Sequence, residues 1–260
     1  MATKYRQIAL WDETGRVSFE RLQQIAAANE IQLNEHIGKV WDVSGVVRAY
    51  RTKAEIPSGW WTCTIVNSIP QGDNFNGIHW YTGSGDNRIP YAKAKHKGIL
   101  SEGFLEKTFT KVITEENGEM SVDPYGEFIV SGADPEFANQ TVDFLVELGD
   151  PVGALDNGYY INDVFVTNFI YPAYFYLNKQ EGVKYDHLGI LTEPKGLVEG
   201  GDQLFRRAKQ WIQAVKINGK KYFLKNGEEA PTSNSVIIIF GSVLVILGIS
   251  LFFIFRKKKP

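Results

Sequence analysis

The spacing of apolar and polar positions changes several times along this chain, and each change predicts an element. Tyr5–Trp11 reads as a first strand, closed by the turn residues Asp12-Glu13-Thr14-Gly15. Phe19, Leu22, Ile25, Ala26 and Leu33 recur at helical spacing, which predicts a helix from about Ser18 to Ile37, capped by Ser18 and broken near Asn29. Val43–Ala49 alternates and gives a second strand. Pro57-Ser58-Gly59 turns the chain into a third, Trp61–Val66. A Gly/Asn/Asp-rich loop over Ile69–Asn76 leads to two short strands, Ile78–Tyr81 and Pro90–Lys95. In Ser101–Glu116 the positions Phe104, Leu105, Phe109, Val112 and Ile113 fall on one helical face.

Beyond Gly126 the pattern predicts Glu127–Val130 and Val142–Leu148 as strands, and a hairpin over Tyr159–Val166 that turns at Asn162-Asp163. The aromatic run Phe169–Tyr176 is expected to pack on the sheet. Leu204–Val215 reads as a short helix and Val215–Leu224 as a hairpin over Asn218-Gly219. Strands alternating with helices before a mixed sheet indicate an α+β (α/β) domain, here spanning 1–227.

Composition removes some functions and adds one expectation. Lys+Arg 28 against Asp+Glu 30 leaves no basic excess for a polyanion, and the paired Cys/His spacings and basic helices of nucleic-acid modules are absent. No nucleic-acid partner is expected. The lone Cys63 reads as a buried core thiol. The first residues lack a basic stretch followed by an apolar run, so no secretory signal is expected. Val236–Phe255 carries no charge and is followed at once by Arg256, Lys257, Lys258 and Lys259. About 20 apolar residues match a hydrocarbon core of roughly 30 Å, which predicts a linker over 228–235, a single-pass transmembrane helix over 236–255 and a basic tail over 256–260. On that reading the partner is membrane lipid and the main domain is cytoplasmic.

Candidate chemistry concentrates in Thr114–Gly126. On a continued helix Glu115 and Glu119 point the same way with Glu116 beside them, followed by Asp123. Two ligands at i and i+4 with a general-base Glu next to the first is what a metallopeptidase helix requires. The competing reading is a surface helix that ends in a solvated acidic turn, because Asn117-Gly118 favours turns. Of the histidines, His36, His96 and His187 lie in polar surroundings that suggest the surface, while His79 stands on the short strand Ile78–Tyr81.

The segment TEENGEMSVDPYG resembles the hallmark of a group of bacterial, metallopeptidase-like proteins that reads close to SHEVLEMLADPYG. Glu116, Glu119, Met120, Asp123, Pro124, Tyr125 and Gly126 are retained. Ile56–Trp60, Gly77-Ile78-His79, Ile89–Ala92 and Val142–Val152 are similar to further elements of that group, in the same order. The resemblance implies a zincin-like mixed sheet whose edge strand lines a cleft beside the long helix, and it makes His79, in a matching segment near that strand, the one histidine candidate to enter the cleft. It implies Glu119 as a metal ligand, Glu116 as general base, and Glu147 or Asp150 as a third ligand or a group behind it. The first ligand, a histidine in the group, falls on Glu115. Zinc favours imidazole or thiolate, so this exchange points to a degenerate site in which Glu116 is vestigial and no cofactor, or at most a divalent metal, is held. The sequence thus predicts a membrane-anchored, metallopeptidase-like binding or structural module with an unspecified protein partner. Two alternatives stand beside it: an active hydrolase with an acidic site of Glu115, Glu119 and Glu147, and a structural component of a membrane-containing assembly such as a phage particle.

Overall fold

The computed structural model describes residues 4–69, 76–96, 102–137, 139–225 and 228. The first half builds a five-stranded mixed sheet from β1 (Lys4–Asp12), β2 (Val43–Tyr50), β3 (Trp61–Val66), β4 (Gly77–Thr82) and β5 (Ile89–Lys95) in the order β2-β1-β3-β5-β4. The first four in that order run parallel, while β4 joins the edge antiparallel to β5. A right-handed crossover is the expected way to join β1 to β2, and α1 (Phe19–Ile31) supplies it. Ser18 caps that helix by accepting from the Arg21 N–H.

Asn29 does not break the helix. It runs on through a π-helical turn (Gln32–Ile37) and ends in α2 (Gly38–Trp41), where Asp42 takes a left-handed conformation at φ 54°. The π turn aims Gln32 inward, where its side-chain amide donates to the Thr167 carbonyl at 2.7 Å.

The long helix α3 (Glu102–Val122) crosses the same sheet over β3, β4 and β5. Sequence alone favoured a turn at Asn117-Gly118, yet the helix passes through both. Glycine costs about 1 kcal/mol in a helix relative to alanine. Here tertiary packing outweighs that cost: Gly118 faces Ile37 and Leu148, and a Cβ at this position would lie 3.0 Å from Ile37 Cδ1. The apolar stripe Phe109, Val112, Ile113 and Met120 is buried against Cys63, Ile65, Ala92 and Ala94.

A second, antiparallel sheet has the order β12-β11-β10-β7-β6, with β6 (Ile129–Ala133), β7 (Thr141–Leu145), β10 (Asp202–Arg207), β11 (Gln210–Ile217) and β12 (Lys220–Lys225). A separate hairpin, β8 (Gly158–Ile161) and β9 (Val164–Thr167), turns at Asn162 as its spacing predicts and packs on α3. The helix expected over Leu204–Val215 is instead the β10–β11 hairpin. Its apolar residues can be read at either period, and Ala208 and Lys209, both at positive φ, make the tight turn that decides it. One continuous apolar core joins both sheets through α3.

The membrane expectation is corrected. Among the described residues no helix is long and apolar enough to cross a membrane. The predicted span Val236–Phe255, with Arg256, Lys257, Lys258 and Lys259, lies outside the described residues. A spanning segment must satisfy its backbone polar groups within a helix or closed barrel, so an apolar run in the sequence is not by itself an anchor. The architecture of the described residues is therefore an α+β mixed sheet with a long helix, and no helix among them is a transmembrane span. The single-pass anchor, the lipid partner, the membrane localisation and the membrane-containing particle are dropped with it.

The other histidines are also placed differently from the sequence reading. His96 is buried against Phe109, and His187 is half-buried, stacked on His36 at 4.8 Å and on Phe169 at 5.0 Å. Burial, with His36 and Lys184 nearby, pushes His187 down to about 4 against a weaker upward pull from Asp186. The native state thus binds fewer protons than the unfolded chain between about pH 4 and the ordinary histidine value near 6.5. The stability that neutral His187 contributes is complete above that range and is lost as pH falls through it. Because the ring is half exposed, we expect about 1 kcal/mol rather than the unscreened figure. Urea unfolding at pH 7.5 and 4.5 checks this: the drop should be smaller in His187→Phe by that amount, and an equal drop in both proteins would exclude it.

Candidate metal centre

The edge strand and the long helix meet in a cleft lined by acids. β4 alternates, so Gly77, His79 and Tyr81 face α3. Gly77 is required by close approach: a Cβ there would lie 2.3 Å from Glu116 Oε1 and 2.5 Å from Val112 Cγ1. The small residues Ala94, opposite Gly77, and Ala92, opposite His79, let the helix settle onto the edge.

His79 enters this cleft with only 7% of its side chain exposed. Its Nδ1 lies 3.5 Å from Glu116 Oε2 and 3.4 Å from Glu119 Oε2, and its Nε2 lies 3.9 Å from Glu147 Oε2. Glu147 arrives from the second sheet, two residues past the end of β7, in the stretch that Val146 pins by donating its N–H to the Phe128 carbonyl. Glu119 is oriented from behind, where its Oε1 accepts the Gly149 N–H at 2.9 Å and leaves Oε2 for the cleft. His79, Glu119 and Glu147 each offer a donor atom within 4.8 Å of the others.

The electrostatics follow from packing these groups away from water. Burial alone would lower the His79 pKa, but the carboxylates of Glu116, Glu119 and Glu147 reverse this and raise it well above the ordinary histidine value. Burial pushes the Glu116 carboxyl up to about 8, with His79 opposing and Glu119 adding to the shift. Glu147 is raised well above the carboxylate range, first by burial, against the pull of His79. Burial thus favours the protonated forms of Glu116 and Glu147, and a positive charge beside them favours the ionised forms.

Two arrangements could neutralise such a cluster. In one, a protonated His79 donates directly to the carboxylates. Charge-assisted N–H···O bonds are usually about 2.7–2.9 Å, however, and the separations here are all longer. His79 Nε2 and Glu147 Oε2 are buried and make no hydrogen bond. In the other, a cation sits between the donors. Ligands about 2.0–2.2 Å from a metal lie roughly 3–4 Å from one another, and the donor atoms of the triad lie within 4.8 Å of one another, close enough to make them candidates for one shared ion. An imidazole with carboxylates suits Mn²⁺, Fe²⁺ or Zn²⁺. The donor set therefore fits a divalent cation.

The remaining candidates divide by role. Glu116 borders the triad beside Gly77. Glu115 is not brought into it. Both of its oxygens accept from Lys111 Nζ, at 3.2 and 3.1 Å, and the same ammonium donates to the Gly153 carbonyl at 3.2 Å. The position that the resemblance assigned to the first ligand is thus closed by an ion pair, while an imidazole is supplied from the edge strand instead. The i, i+4 spacing of Lys111 and Glu115 carried that signal in the sequence. Asp123 accepts the N–H groups of Glu127 at 3.0 Å and Phe128 at 2.8 Å, forming the turn after α3. Asp150 lies outside the triad, in a short 3₁₀ turn (Asp150–Val152).

Compared with family models, with curated proteins and with solved structures, the chain matches none. What remains of the metallopeptidase-like resemblance is the coarser statement that a His/Glu/Glu triad of the kind found in metalloproteins is present, and that it forms a candidate site for a divalent metal.

Proposed function

We propose that this protein binds a divalent cation through His79, Glu119 and Glu147. The observation that carries the reading is the pair of buried, unpartnered atoms His79 Nε2 and Glu147 Oε2, set beside a Glu119 carboxylate already oriented by a backbone N–H. The test is metal content after gel filtration and calorimetric titration with Mn²⁺ and Zn²⁺. We expect stoichiometric binding in the wild type and a loss of at least a hundredfold in affinity in His79→Ala and Glu147→Gln. Equal affinity in the wild type and both variants would remove the triad from consideration.

Glu116 supports a second reading, hydrolysis. It borders the triad without being part of it, where a carboxylate can act on a water whose acidity a bound cation increases. Hydrolysis of a peptide mixture that needs added metal and disappears in Glu116→Gln, with metal still bound, would establish it. Metal binding without turnover leaves a non-catalytic binding module.

A further inference from the structure

A second concavity opens where residues 190–199 pass the hairpin of β11 and β12. It is a cleft of about 720 Å³, within the roughly 300–1,000 Å³ of small-molecule sites, and none of its lining residues belongs to the His79 triad. Part of its wall is apolar: Leu191, Leu197 and Val198 line it and are buried. Backbone bonds fix that stretch, from the Val198 N–H to the Pro151 carbonyl at 3.0 Å and from the Gly200 N–H to the Lys216 carbonyl at 2.9 Å.

The hairpin supplies two ammonium groups. Lys216 and Lys221 both line the cleft, and the strand register sets them directly opposite each other. Side chains paired in this way share one face with Cβ atoms about 4.5–5.5 Å apart, and like charges there are destabilising. Among the described residues neither lysine takes part in an ion pair. Lys221 Nζ donates only to the Lys195 carbonyl, at 2.9 Å, and Lys216 Nζ makes no hydrogen bond. Two carboxylates also line the cleft. Glu199 is committed to the turn, where Oε1 accepts the Asn218 N–H and Oε2 the Gly219 N–H at 2.9 Å. Glu193 pulls the Lys221 pKa up, but burial outweighs it and Lys216 opposes it, so the group stays below the ordinary lysine value.

We propose that this cleft binds a small amphiphilic anion, with Lys216 and Lys221 holding a carboxylate or phosphate head and Leu191, Leu197 and Val198 receiving its apolar body. The anion neutralises a like-charge pair that the hairpin register imposes, and the apolar wall adds affinity by leaving water. Lysine meets either head as a compact point charge, so both are accepted. The inference is independent of the metal reading.

The experiment is calorimetric titration of the full chain with octanoate and octyl phosphate, beside inorganic phosphate and octanol. At least one alkyl anion should bind at one per chain, and at least tenfold more tightly than inorganic phosphate or octanol. Lys216→Gln should weaken that binding about tenfold and raise the urea midpoint of the ligand-free protein, because the like-charge pair is gone. Its ammonium has no bond to lose, so this variant should fold; Lys221→Gln should weaken binding likewise. His79→Ala should bind the anion as the wild type does. Failure of both alkyl anions to bind, or equal affinity in the wild type and Lys216→Gln, would overturn the proposal. Octanol or inorganic phosphate binding as tightly as octyl phosphate would overturn it too, since head and body would not act together.

Discussion

Replacing Lys111 with methionine should cost the fold about 3–5 kcal/mol, the usual effect of stripping one partner from a buried ion pair. Only 4% of the Lys111 side chain and 13% of that of Glu115 are exposed. The ammonium serves three oxygens, two on Glu115 and one on Gly153. Without it Glu115 has no cation, its pKa rises further as burial already dictates, and the Gly153 carbonyl loses its donor. Protonation of Glu115 limits the loss, which places the effect at the lower end of that range near pH 7. The double variant Lys111→Met, Glu115→Gln should recover part of it, because a neutral pair avoids the stranded charge. Urea denaturation of the wild type, both single variants and the double variant measures the coupling. A Lys111→Met protein within 0.5 kcal/mol of the wild type would mean that the pair is not closed as described. Metal affinity at the triad should survive in the folded variant, since Lys111 and Glu115 lie outside it.

Asp123→Ala should lower stability by about 2–4 kcal/mol and leave the metal stoichiometry unchanged. Its carboxylate accepts two backbone N–H groups in part-buried bonds within the turn that follows α3, and a hydrogen bond to a charged group contributes about 1.5–3 kcal/mol. That turn also carries Gly126 at φ 62°, pressed against Trp80 where a Cβ would come within 2.7 Å of the ring. It delivers Phe128, whose carbonyl receives the Val146 N–H beside Glu147. Asp123→Asn can still accept one of the two bonds and should lose about half as much. Thermal unfolding and metal titration of the two variants decide the role. Unchanged stability with lost metal would make Asp123 a ligand instead of the residue that shapes the turn.

Much of the architecture was legible because it rests on local rules. The alternation of Val43–Ala49 and Pro90–Lys95, the uninterrupted β-formers of Trp61–Val66 and the Asn162-Asp163 and Asn218-Gly219 turns each specify a short element within a few residues. The acid spacing Glu115, Glu116, Glu119 was visible for the same reason, since helix geometry fixes which side chains share a face. Leu204–Val215 failed because its apolar residues satisfy two periods at once, and the tight turn at Ala208 and Lys209, with pairing to β7 and β12 on either side, selects the strands. Asn117-Gly118 failed because a local turn preference of about 1 kcal/mol is smaller than the packing gained by closing α3 onto Ile37 and Leu148.

The sequence by itself determined that two acids would face one way on a long helix and that His79 stood on a short strand. It could not determine which groups meet. Glu147 comes from a different sheet and His79 from the edge of another. Their meeting with Glu119 depends on strand order and on the Gly77 approach, which no local spacing records. Nor could it separate Glu115, taken by Lys111, from Glu119, held for the cleft by the Gly149 N–H, because the two occupy equivalent positions on one helix face. Side-chain chemistry is written in the chain, but a ligand set is a property of distances between segments, and those are set only when the core closes.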